Sequence, residues 1–173
     1  MVSRLFTTFV EIALWRKGPQ DLPASRFLVT LALIAYVIAE LINVRLWNLT
    51  AREAIISTGV DVVMLAGWIW AVLAFFDRRQ RFIQTLTATL GVGTLVLLLD
   101  IAVRFGQITF GFGQGFMSEW LFARLIILAL IMGRILMHAL DRGLLTGMAL
   151  TIAIVYSTTA VAQLMLDNLA PRP

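Results

Sequence analysis

Long apolar runs alternate with short charged or turn-forming segments along the whole chain. Five runs, at about 24–45, 54–76, 82–105, 119–140 and 144–166, are each long enough to cross a bilayer. About 20 helical residues span the roughly 30 Å hydrocarbon core. The first fifteen or so residues read differently. Leu5, Phe6, Phe9, Val10, Ile12 and Ala13 recur at helical spacing, with Arg4, Glu11, Arg16 and Lys17 around them. This predicts an amphipathic helix over 3–17, lying in the membrane interface with Trp15 near the headgroups. Glu11 breaks the apolar run and no small-residue cleavage site follows, so a signal peptide is not expected.

The punctuation between runs is specific. Gly18-Pro19 is expected to end the first helix, because proline cannot continue it. Asp21 is the expected cap of the first span, with Pro23 in its first turn. Thr50-Ala51-Arg52-Glu53 has the spacing of a capping box and should start the second span. Asp77 to Arg81 and Asp141 to Gly143 read as tight turns, and Gly106 to Met117 as a Gly- and Phe-rich loop ending at an N-cap, Ser118. The fold class is therefore an all-α membrane bundle of five spans with an N-terminal interfacial helix. Residues 1–173 form a single domain.

Composition sharpens this reading. The 173 residues are 60% hydrophobic and 14% charged, against about 45–50% and 25% in soluble domains. The chain has no cysteine and one histidine, His138, so disulfides, thiolate metal sites and bis-histidine haem have no donors within it. No cofactor is expected. The net charge of +4 sits near predicted span ends and suits a membrane surface, not a nucleic acid. Arg4, Arg16, Lys17, Arg26, Arg78, Arg79, Arg81 and Arg142 fall on one side of the spans, and Arg45, Arg52, Arg104 and Arg172 on the other. The positive-inside rule then puts the N-terminus in the cytoplasm and the C-terminus in the periplasm of a bacterial inner membrane.

Four charges lie at a similar depth inside the apolar runs, Glu40, Asp61, Asp100 and Arg124, and Arg134 lies in the other half of its run. Counted from the predicted span ends, each of the four is about five to seven residues in, or roughly 7–10 Å below the outer interface. A charge facing lipid costs at least about 2.5–3.5 kcal/mol. The four should therefore face inward and pair. Arg124 can hold one carboxylate bidentately and touch a second. Three acids against one base leave a carboxylate over, which must hold a proton, meet water or pair with Arg104. The layer can be structural glue near a wet surface, or part of a proton or solute path. Arg134, with His138 one turn on, can snorkel to the inner headgroups. It can instead join Arg78, Arg79 and Arg142 in an anionic-lipid contact.

Gly59, Gly67, Ala71, Gly91, Gly133, Gly143 and Gly147 allow close helix approach, and Ser157, Thr158 and Thr159 can bond between helices or to their own turns. Trp15, Trp47 and Trp120 suit interfacial belts, while Trp68 and Trp70 lie deeper. Phe110, Phe112 and Phe116 can dip toward headgroups from the loop. No nucleophile elbow, zinc-protease motif or nucleotide loop occurs. Gly111-Phe112-Gly113-Gln114-Gly115 lacks both a preceding strand and the Lys-Ser/Thr ending of a phosphate loop.

The segment Leu14-Trp-Arg16-Lys-Gly-Pro19-Gln-Asp21-Leu-Pro23-Ala-Ser25 resembles the start of a group of small proteobacterial inner-membrane proteins. The layout, an interfacial helix and five spans, is similar to the Yip1 superfamily. Where that superfamily has an Asp-Leu-Tyr-Gly-Pro-type motif, Asp21-Leu22 is here followed by Pro23, so no site carries over. The resemblance implies a membrane-organising or assembly role. The expected function is a non-enzymatic binding or assembly module in contact with lipids, other membrane proteins or further copies of itself. The alternatives are a small transporter or channel using the acid/arginine layer and, third, an integral-membrane enzyme.

Overall fold

The computed structural model describes residues 2–111 and 113–168, with side chains from Leu5 onward except that of Gln114. Phe112, Arg172 and the side chain of Arg4 lie outside the described residues. Six α-helices are described: α1 (Val2–Ala13), α2 (Arg26–Leu46), α3 (Ala51–Phe75), α4 (Phe82–Phe110), α5 (Gln114–Leu140) and α6 (Leu144–Asp167). The last five are long and apolar enough to cross a membrane. The basic residues of the Arg78–Arg81 and Asp141–Gly143 turns share one end of the bundle with the start of α2. We call this the basic end. The α2–α3 and α4–α5 turns lie at the opposite end.

The helix boundaries show which local signals decide. Thr50 and Glu53 form the expected capping box: Thr50 Oγ1 accepts from the Glu53 amide at 3.3 Å, and Glu53 Oε2 accepts from the Thr50 amide at 2.7 Å. The cap of α2 is Ser25, not Asp21. Ser25 Oγ accepts from the Leu28 amide at 3.4 Å, and Asp21 instead accepts from the Gly18 amide in a short 3-10 turn. α1 stops at Ala13, before Gly18-Pro19, where Trp15 takes a left-handed conformation with φ of 66°. The Arg16 amide then closes the end on the Glu11 carbonyl at 2.8 Å.

The Gly106–Met117 loop is the largest correction. Most of it is helix, and only Gly111 to Gly113 connects α4 to α5. A single glycine costs a helix only about 1 kcal/mol, so Gly106 does not end α4. Gly111 does, with φ of 69°. Ser118 consequently lies inside α5, whose N-cap is Gly113.

The five spans form a ring in the order α4, α2, α3, α6, α5 and back to α4. Three apolar clusters hold it. Ile69, Val72 and Leu73 of α3 meet Leu136, Ala139 and Leu140 of α5 and Ile154 of α6. Ala32, Tyr36 and Ala39 of α2 meet Leu90 and Leu97 of α4. Ile12, Leu22 and Leu28 pack with Ala88, Val92 and Ile135. In a membrane such contacts act through close packing more than through removal of water. α5 and α6 come closest where Gly133 and Gly147 face each other, and a Cβ on Gly147 would overlap the Gly133 carbonyl. Gly59, Gly67 and Gly143 face open space and make no such approach.

α1 packs against α4, and its apolar stripe of Leu5, Phe9 and Ile12 is turned toward protein. The Phe9 ring occupies the place a side chain at Gly91 would take. Gly91 is nine residues into α4, or roughly 13 Å along it. Phe6 and Leu14 stay exposed for lipid.

Candidate functional site

Five helices contribute to the polar layer or to the cavity beside it. α2 carries Tyr36 and Glu40 one turn apart, and α5 carries Trp120 and Arg124 one turn apart. α3 supplies Asp61 and α4 supplies Asp100. Because α4 and α5 run further than their sequences suggested, the layer lies further from the helix ends than expected. Asp61, Asp100 and Arg124 each sit ten residues from the opposite end of their helices. That is about 15 Å along each helix. Glu40 lies nearer the end, six residues before the last residue of α2.

Two subsites result. In the first, Arg124 Nε lies 2.7 Å from Asp100 Oδ2. The N–H is poorly aligned for a hydrogen bond, so the contact is an ion pair through a single nitrogen and not the bidentate fork expected. Trp120 Nε1 donates to Asp100 Oδ1 at 3.0 Å. In the second, the Tyr36 hydroxyl donates to Asp61 Oδ2 at 2.6 Å. Glu40 has no hydrogen bond or ion pair among the described residues, although it lies within electrostatic reach of Asp61, Asp100 and Arg124. Arg104 does not take the surplus acid. It lies over the Trp47 ring at 4.4 Å and bonds the Leu46 carbonyl and Gln107.

Tyr36 and Trp120 are site residues that the sequence analysis missed or assigned to a belt. A signal for both was present: each stands four residues before a charge of the layer, on the same helix face. Buried polar atoms cluster nearby. Asn43 Oδ1, Thr58 Oγ1 and Thr158 Oγ1 have no partner among the described residues.

A cavity of about 360 Å³ opens beside the layer, lined at its polar end by Tyr36, Asp61 and Arg124. It continues past Leu128 and Met132 to Leu136 of α5, and past Thr158 and Ile154 to Thr151 of α6. Measured along α5 from Leu121 to Leu136 it is roughly 22 Å long. Gly93 belongs to its wall for a steric reason: a Cβ there would lie 2.8 Å from the Tyr36 ring. The hydroxyls of Thr151 and Thr159 bond back to the Gly147 and Val155 carbonyls, which leaves those stretches of wall largely apolar.

The basic end is arranged differently. Arg78 Nη2 and Arg81 Nη1 both lie 3.0 Å from Asp141. The hydrogen bond from Arg81, with the charges of Arg81 and Arg78, holds the Asp141 carboxyl below the usual aspartate range. Arg81 also donates to the carbonyls of His138 and Ala139 at the end of α5. Arg79 lies over Trp70, and Arg142 over Phe76. Arg134 donates to the Trp15 carbonyl at 2.8 Å and stacks on the Trp15 ring at 4.9 Å. It thus ties α5 to the turn after α1. Each of the four arginines expected to contact anionic lipid thus makes a contact within the protein, Arg78 by sharing Asp141 with Arg81. No three His, Cys, Asp or Glu side chains among the described residues are grouped to hold a metal.

No family model, curated protein or solved structure matches this chain. Its five long apolar helices mark it as a multi-pass membrane protein.

Proposed function

We propose that this protein is a non-enzymatic binding module of the bacterial inner membrane that lodges an amphiphilic, lipid-like molecule between its helices. The observation that carries this reading is the cavity. Its volume of about 360 Å³ falls within the range of small-molecule sites, about 300–1,000 Å³. It has charged groups at one end and an apolar shaft beyond them. The basic end faces the cytoplasm, by the weight of Lys and Arg there. Thiol labelling of Gln80→Cys and Gln114→Cys in intact cells tests that orientation: an impermeant reagent should reach position 114 and spare position 80.

The binding test is a change of cavity volume. Protein purified in mild detergent should carry a stoichiometric amphiphile detectable by native mass spectrometry. Leu128→Trp, which fills the shaft, should abolish it. Equal retention by the variant rules the cavity out as the site. A small transporter is the second reading, favoured by the length of the cavity, which leads from the layer well toward the basic end. Proton or solute flux in vesicles that Leu128→Trp removes would establish it.

A further inference from the structure

We propose that the occupant of this cavity is an alkylammonium-type amphiphile: its positive head sits at Asp61 and Tyr36, and its apolar tail follows α5 and α6. The inference rests on the reading of the cavity as an amphiphile site and adds the chemistry of the head. Charge placement carries it. Arg124 is the one base of the layer, and its Nε lies 2.7 Å from Asp100, a largely buried partner. The two charges offset each other locally. Asp61 has only a neutral donor, the Tyr36 hydroxyl, at 2.6 Å. Glu40, one turn from Tyr36, has no donor among the described residues. Asp61 lines the polar end of the cavity beside Arg124, whose Nε is turned to Asp100, so the layer around that end holds three acids to one base.

An ammonium supplies what is missing. It brings a charge and N–H or polarised C–H groups to Asp61, whose second oxygen has no bond among the described residues. The Tyr36 ring lines the same wall and can present its electron-rich face to a cation. An anionic head would instead meet the Asp61 carboxylate, with the Nε of Arg124 already held by Asp100. The shaft suits a single alkyl chain. From the level of Arg124 to Leu136 it is roughly 18 Å, close to one leaflet's share of the hydrocarbon core, about 15 Å.

The test uses three probes with the same tail and different heads, bound to full-length protein in nanodiscs and corrected for partition into empty ones. Dodecyltrimethylammonium should bind saturably and about tenfold or more tighter than dodecanol, with dodecanoate weakest. Asp61→Asn keeps an acceptor for Tyr36 and so spares the local fold. It should erase the preference for the ammonium head, and Glu40→Gln should reduce it. Nanodiscs with and without the single-chain lipid lysophosphatidylethanolamine separate two sources of the chemistry. Competition by that lipid supports a membrane lipid as the natural occupant, and its absence supports a free amphiphile. Tighter binding of dodecanoate, or equal binding of all three probes, overturns the inference while leaving the cavity reading intact. Binding that Leu128→Trp does not alter defeats the cavity reading itself.

Discussion

At the basic end two arginines share one aspartate, whereas inside the bundle three acids stand against one arginine, which pairs with Asp100 alone. The first arrangement needs no further explanation. Arg78, Arg81 and Asp141 are each at least one-third exposed, so water screens the surplus positive charge, and such pairs contribute little. The second lies about 15 Å from the helix ends, where little water screens the surplus. An imbalance that is trivial at a surface requires a partner at depth, whether proton, water or ligand. Packing differs in the same direction. The half toward the basic end holds Phe9 against Gly91, the apolar cluster of α3, α5 and α6, and the Gly133–Gly147 approach. The layer half holds three polar side chains with unpartnered oxygens, Asn43, Thr58 and Thr158, while toward the basic end the buried atoms without a hydrogen bond among the described residues are the nitrogens Arg134 Nε and His138 Nε2.

The sharpest way to break this comparison is Arg124→Ala. It strands Asp100 and should cost about 3–5 kcal/mol, read as thermal stability in detergent. Replacing both partners, Arg124→Leu with Asp100→Leu, should recover much of that loss. Pairing Arg124→Leu with Asp61→Leu or Glu40→Leu should recover less. Equal recovery with all three acids would mean that Arg124 serves the layer as a whole and that the two subsites are not distinct.

A smaller effect probes the packed half. Gly91→Leu must displace the Phe9 ring and should cost about 1–3 kcal/mol through overpacking. Adding Phe9→Ala should restore part of it, since the new side chain then fills the vacated space. Failure of that rescue would show that α1 does not depend on this contact. Its readout should include protease cleavage after Lys17, which should rise in Gly91→Leu if α1 is released.

The smallest effect is expected at Asp141. Its folded-state pKa lies below the unfolded value because of Arg81 and Arg78. The contribution is therefore complete above the ordinary aspartate range, about 3.9, and is lost as pH falls through the folded value. Asp141→Asn should melt slightly below wild type at neutral pH and low salt. The two should converge in acid and at high salt. A difference that survives high salt would show that the basic end is less surface-like than its exposure indicates.

The spans were legible because the bilayer imposes a length and a polarity that no tertiary contact can override. The capping box at Thr50 and Glu53 was legible because both of its hydrogen bonds are local. The membership of the layer, Glu40, Asp61, Asp100 and Arg124, could also be read, since any charge within an apolar run must turn inward. The ends of α4 and α5 could not, because a glycine such as Gly106 is tolerated in a helix and only the backbone conformation at Gly111 marks the stop.

Pairing belongs wholly to the tertiary structure. The sequence by itself placed three acids and one base at a common level, but depth is one coordinate, and pairing also depends on how each helix is rotated about its axis. Only the packed bundle turns Asp100 to Arg124 and Trp120, and Asp61 to Tyr36. The cavity is likewise a property of the assembly, since it is a gap between five helices and no single one of them encodes it.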